Sequence, residues 1–250
     1  MGWICYGLVH LLIAGLALQI AFGDPGERAE PQGAIAKIAA QPWGAVALGV
    51  LAVGLVGFAV SQLVQAVTGF HWVRDRPTRW VRRLGAAGRA VVGVAIGVLA
   101  ASKAMGGPVP EGGTQQKGIT ERLLAFPAGS VLVGLVACGV LVVAVATVRR
   151  GVLRSFEEDL EMDELPKGTR PWIEWLGIIG WIAKGVSFAG IGGLFAAAAL
   201  YADARRSGGL DQALHLLAAF PLGQAALVAV AAGFAAFGAF CLAAAKTHRA

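Results

Sequence analysis

Six apolar runs, each about twenty residues or longer, leave this chain few folds to adopt. They cover roughly 2–22, 43–67, 84–104, 128–149, 175–202 and 222–245, and none contains Asp or Glu. About 20 such residues form a helix long enough to cross ~30 Å of hydrocarbon. Strands of a membrane barrel would alternate apolar and polar positions over about ten residues, and none of these runs does. Only 14% of the 250 residues are charged, where a soluble domain carries about 25%. The first run lacks the charged start of a secretory signal and is too long for one, so it counts as a span. The pattern predicts an all-α membrane protein with six transmembrane helices, forming a single integral membrane domain over 1–250.

A net charge of +6 could suggest nucleic acid, but its distribution argues otherwise. Lys and Arg collect in the cytoplasmic loops of membrane proteins. Segments 68–83, 149–174 and the C-terminal tail together carry twelve, while the intervening loops carry seven. Both termini are therefore expected in the cytoplasm, with the chain in the cytoplasmic membrane and no nucleic-acid partner.

The runs are also related to one another. Pro42, Pro127 and Pro221 each precede a span, and Gly44, Gly129 and Gly223 follow two residues later. Twelve residues beyond each proline stand Gly54, Gly139 and Gly233. Upstream, Tyr6, Arg89 and Lys184 fall 36, 38 and 37 residues before the prolines, each followed eight residues on by a small residue (Ala14, Gly97, Gly192). Agreement at both ends of the unit identifies an internal repeat. Its copies span about 1–80, 81–172 and 173–250, and three parallel two-helix units suggest a pseudo-threefold arrangement.

Each unit reads as helix, short amphipathic outer segment, proline, helix. Proline disfavours helical structure in the residue before it and lacks an N–H, so it is expected to end the short segment and occupy the first position of the next helix. Ala34 and Ile38, Ile119 and Leu123, Ala213 and Leu217 form the apolar stripe of those segments, joined by Phe126 and Phe220. Within the spans, small residues such as Gly93 and Gly97 permit the close backbone approach that packing in lipid requires.

These motifs resemble the bacterial membrane family catalogued as domain of unknown function 1206. The resemblance rests on Arg89-Ala90, Lys184-Gly185 and the elements PWG, PAG and PLG, and it covers nearly the whole chain. It implies three tandem two-helix units, each with a basic residue in its first helix, and it implies no activity. The first copy departs by placing Tyr6 where the others have a cation.

Arg89 and Lys184 are the charges inside the spans, and an intramembrane charge is a functional candidate by default. They lie roughly 7 and 13 Å along their helices at 1.5 Å per residue. Two kinds of partner suit them: the terminal carbonyls of neighbouring helices, or the phosphates of anionic lipids. The arginines of 74–83 also suit anionic headgroups, and the acidic loop 153–172 reads as a solvated helix with Phe156 and Leu160 on one face.

Catalytic signals are missing. No phosphate loop, nucleophile elbow or zinc-binding helix is present. Cys5, Cys138 and Cys241 are scattered through the spans as packing residues. His10, His71, His215 and His248 share no common membrane depth, so neither metal nor haem is expected. The reading is non-enzymatic: a scaffold or accessory subunit of a membrane complex, with lipids, another membrane protein or a second copy as partners. The alternative is a transporter or channel for a small or lipidic substrate. Single-cysteine labelling tests the orientation: positions 30 and 112 should react from outside the cell, and positions 76 and 163 only after permeabilisation.

Overall fold

In the computed structural model, residues 2–22, 31–70, 76–108, 112–160 and 168–247 are described. His71, His248 and part of the acidic loop, residues 161–167, lie outside them. The described residues form nine α-helices: α1 (Gly2–Ala21), α2 (Pro31–Ala39), α3 (Gly44–Thr68), α4 (Arg76–Ala104), α5 (Gly112–Leu124), α6 (Gly129–Val152), α7 (Arg170–Tyr201), α8 (Leu210–Ala218) and α9 (Gly223–Thr247). Helices α1, α3, α4, α6, α7 and α9 are long and apolar enough to cross a membrane. The short helices α2, α5 and α8 each stand between the two spans of one repeat.

The elbow before α3, α6 and α9 is built three times with the same hydrogen bonds. Gly44, Gly129 and Gly223 each donate their N–H to the carbonyl three residues back, at 2.9, 2.8 and 2.8 Å. This closes a turn with proline in its second position, where its fixed φ suits a type I turn. Trp43, the residue after Pro42, has φ −95° and ψ 5°, as that turn requires. Proline therefore stands two residues before the helix rather than at its first position. The turn, not the helix start, uses its restricted φ.

The glycine is needed for space. A Cβ on Gly44, Gly129 or Gly223 would collide with the carbonyl oxygen of Ile38, Leu123 or Leu217, four residues before each proline. The chain folds back so sharply that the first turn of the span rests on the last turn of the short helix. Each short helix buries Ile35, Thr120 or Leu214, at 1%, 0% and 3% exposure, and α2 also buries Ala34 of the expected stripe. Ile35, Thr120 and Leu214 lie seven residues before the proline. Ile119, Phe126 and Phe220 of the expected stripe are exposed instead. Ala34, Ile38 and Leu217 of the stripe do pack inward, while the phenylalanines sit on the outside of the turn.

The spans pack mainly across repeat boundaries. The closest pairs are α6 with α7, α3 with α4, and α1 with α9, so each second helix lies against the first helix of the next repeat, the third repeat being followed by the first. Small residues set these crossings. A Cβ on Gly97 of α4 would touch Leu55 and Val56 of α3, and one on Gly192 of α7 would press on Leu141 of α6 at 2.8 Å. Such close approach supplies the dispersion contacts that hold helices together in lipid.

Within repeats, contact is unequal. α7 packs on α9 and α1 packs on α3, whereas α4 and α6 scarcely touch. In spatial order the helices form an arc, α4–α3–α1–α9–α7–α6, with α4 and α6 at its ends. α6 is accordingly the least buried of the six spans. The local motif repeats three times, but the packing of the helices is not equal around the three units.

Substituting Gly129→Ala should lower thermal stability in detergent by about 1–3 kcal/mol, the usual cost of forcing extra volume into a filled site. Gly139→Ala, with nothing within 4 Å of the added Cβ, should leave the melting temperature within a degree or two of wild type, about the resolution of such a scan.

Candidate functional site

Tyr6, Arg89 and Lys184 occupy equivalent places in the three repeats, and Tyr6 and Lys184 meet. Lys184 of α7 is 9% exposed, and its Nζ donates to the Tyr6 hydroxyl oxygen at 2.6 Å. The ammonium also faces the rings of Phe237 at 4.3 Å, Tyr6 at 4.9 Å and Trp181 at 5.8 Å. Desolvated cation–π contacts of this kind contribute about 2 kcal/mol each. The side chain therefore neither snorkels to water nor caps a helix carbonyl. It is held in an aromatic cage.

The cage continues across the bundle. Tyr6 stacks on Phe58 of α3 with centroids 4.6 Å apart and an interplanar angle of 11°. His10, one turn further along α1, lies 4.6 Å from Tyr6 and 4.8 Å from Phe237. Its Nδ1 donates to the Tyr6 carbonyl at 2.9 Å, which places a proton on that nitrogen. His10 is a hydrogen-bonded core residue.

Arg89 approaches from the other side. It is half-buried on α4, and its Nε donates to Gln62 Oε1 of α3 at 2.7 Å. Its Nη1 lies above Gly85, 3.5 Å from where a Cβ would stand, so the guanidinium points back toward the start of α4. Gln62 lies one turn beyond Phe58, which stacks on the Tyr6 ring whose hydroxyl Lys184 contacts. The two cations thus belong to one region, in the halves of the spans nearest the termini.

Gln62 was not singled out by sequence, although the repeat register contains it. Twenty residues after each proline stand Gln62, Thr147 and Cys241, all buried, at 0%, 8% and 0% exposure. Sixteen residues after stand Phe58, Val143 and Phe237, of which Val143 is exposed. Extending the alignment into the second helix reveals both sets. Sequence alone does not place them opposite the cations, because that depends on how the repeats pack.

The donor balance of the cluster is uneven. Gln62 Nε2 and Trp181 Nε1 are buried donors with no hydrogen-bond partner. Lys184 has three N–H groups and one oxygen acceptor, and Arg150 adds a guanidinium 4.4 Å above Trp181. Such a set is suited to an acceptor-rich, negatively charged group, since each unpaired buried donor costs about 1–3 kcal/mol.

The acidic loop closes this end. Phe156 and Leu160 are 1% and 2% exposed, and Phe156 packs on Phe240 at 5.2 Å and over Gly177, where a Cβ would strike its ring. A short 3-10 turn, Glu157–Asp159, follows. Glu158 pairs with Arg82 of α4, so the acidic loop and the arginine cluster engage each other. Glu157 lies near Arg170 at 4.0 Å, yet burial, reinforced by Glu174, pushes its carboxyl above the usual range. The expected solvated helix is instead a docked turn, because Phe156 and Leu160 on one face find an apolar seat.

Two surface hollows lie apart from the cluster. An apolar groove of about 500 Å³ runs between α6 and α7, past Leu141, Val145, Val148 and Ala189 to Arg149. A smaller one of about 240 Å³ is lined by Arg76, Arg79, Trp80 and Arg83. No group of three or more metal-ligating residues occurs among the described residues.

Six spans, the threefold elbow and the buried cations together define a polytopic membrane protein of three tandem repeats. The chain belongs to the family described as Domain of Unknown Function (DUF1206), whose model matches residues 1–69, 84–154 and 179–248. It is 27% identical to an uncharacterised protein, YxxB, of Bacillus subtilis (strain 168), over 97% of this chain and 87% of that protein. No solved structure matches it.

Removing the hydroxyl in Tyr6→Phe strips Lys184 of its oxygen acceptor and should destabilise the protein by about 1–3 kcal/mol, read as a lower melting temperature in detergent. Adding Lys184→Met to that variant should recover most of the loss, since an apolar side chain of similar length needs no acceptor.

Proposed function

We propose that the protein is a non-enzymatic, multi-pass protein of the bacterial cytoplasmic membrane, with both termini in the cytoplasm. It acts as a scaffold or accessory subunit and holds an anionic lipid through Arg89 and Lys184. The supporting observation is the charge balance of the buried cluster. Two cations from different repeats share a donor-rich region, while none of the six apolar runs contains a carboxylate. Aromatic faces moderate the field of one ammonium but leave the net charge in place. A phosphate supplies both the countercharge and the oxygen acceptors.

A scaffold role fits the packed centre, where Tyr6, Phe58, His10 and Phe237 fill the space between α1, α3 and α9 with rings in contact. A transporter for a lipidic substrate is the second reading, favoured by the poor contact between α4 and α6.

The test is the double variant Arg89→Gln/Lys184→Gln, purified in mild detergent. Native mass spectrometry should show co-purifying anionic lipid reduced about tenfold, the loss of one modest ionic interaction. The melting temperature should change by only a few degrees, as for a loss of about 1 kcal/mol. Lipid retained at the wild-type level, with stability lowered, would assign both residues to holding the helices together.

A further inference from the structure

We infer that the gap between α4 and α6 is the seat of an anionic phospholipid, with an acyl chain lying between Gly88 and Gly139 and the phosphate toward the arginines of the same two helices. The inference rests on the lipid reading above and specifies where the lipid enters and lies. Its first ground is a comparison among the repeats. In the first and third copies, the second helix presses on the first at one equivalent point. A Cβ on Gly54 would strike the Cys5 sulfur, and one on Gly233 would strike the Ala183 Cβ. Cys5 and Ala183 each immediately precede the anchor residue of their repeat. In the second copy the corresponding residues are Gly88 and Gly139, both exposed, and neither would meet any atom within 4 Å. One repeat of three has exchanged a helix contact for two exposed glycines.

The second ground is charge complementarity. α4 carries Arg89 one residue beyond Gly88, and α6 ends in Arg149 and Arg150. Neither helix contains an Asp or Glu. An acyl chain alone would be indifferent to these charges, whereas a phospholipid phosphate is attracted by about 1 kcal/mol per cation near the surface. The third ground is access. Phe156 and Leu160 are buried against the terminal end of the cluster, so a ligand reaching Arg89 meets less obstruction from the bilayer, between α4 and α6.

The experiment fills the gap and leaves the cations in place. Gly139→Phe, and separately Gly88→Leu, are reconstituted in nanodiscs containing phosphatidylglycerol and phosphatidylcholine, then released for native mass spectrometry. Each variant should retain phosphatidylglycerol about tenfold less well than wild type, with an unchanged melting temperature. Gly57→Phe, at an exposed site on α3 with nothing within 4 Å, should retain it fully. Retention by Gly139→Phe and Gly88→Leu, combined with loss in Arg89→Gln/Lys184→Gln, would overturn the seat while preserving the lipid reading. Retention by the double variant as well would remove both. Loss in Ala189→Phe alone would move the lipid to the groove between α6 and α7 and overturn the proposal. A wild-type dimer that Gly139→Phe converts to monomer would also overturn it, by assigning the gap to a second copy of the chain.

Discussion

In lipid, an apolar helix gains nothing by leaving the hydrocarbon for an apolar neighbour, so contact between spans depends on how closely their backbones approach. Glycine decides this at crossing after crossing. Gly7 of α1 sits against the Gly238 carbonyl of α9, and Gly180 of α7 against the backbone of Phe237. Gly185 of α7 sits over the backbone of Val148 in α6. At each of these points a methyl group would fall 2.5–2.9 Å from its neighbour, closer than side chains tolerate. The same constraint shapes the elbow, where the glycine after proline lets the span rest on the short helix that precedes it.

Because glycine works through contact, exchanging its partner changes the architecture without disturbing the motif. Gly54, Gly139 and Gly233 are identical in sequence and equivalent in the repeat. Two of them face a side chain, while a Cβ on the third, Gly139, would meet nothing within 4 Å. Copies that share an elbow and an anchor thus diverge where their helices meet. The repeats share the elbow and differ in the residue before the anchor, Cys5, Gly88 and Ala183.

The number of spans, their tandem relation and the elbow were all legible in the sequence, because each is a local property of composition or spacing. Proline was expected at the first position of the span and stands two residues before it: its role in the turn depends on a hydrogen bond from Gly44 to Gln41 that spacing does not reveal. The loop at 153–160 was misread for a related reason. Phe156 and Leu160 look like the face of a surface helix until Gly177 and Phe240 provide a seat for them. Arg89 and Lys184 were visible as charges in apolar runs. Their surroundings were not, because the cage joins α1, α7 and α9, and the Lys184–Tyr6 bond spans 178 residues. The repeat register did place Tyr6 opposite the cations in alignment, and the fold turns that equivalence into a contact.

The substitution of tyrosine for a cation in the first repeat bears on what the cluster can do. A third cation at that position would stand within reach of the Lys184 ammonium, and like charges in a poorly solvated interior repel by several kcal/mol. Tyr6 removes this repulsion and supplies an oxygen acceptor and a stacked ring in its place. A glutamate there would neutralise Lys184 outright and leave the site little attraction for an outside anion. The arrangement in this chain lies between these extremes, since the ammonium is stabilised by a hydroxyl and three rings that carry no net charge. The charge of Lys184 is therefore tolerated without being cancelled by a carboxylate in the cage. Folding places Lys184 and Arg89 in one region at an electrostatic cost, and an anion that enters from the bilayer offsets it. The stability of the free protein and its affinity for such a ligand are then coupled, because the ammonium that the rings and the hydroxyl hold is the one that the anion neutralises.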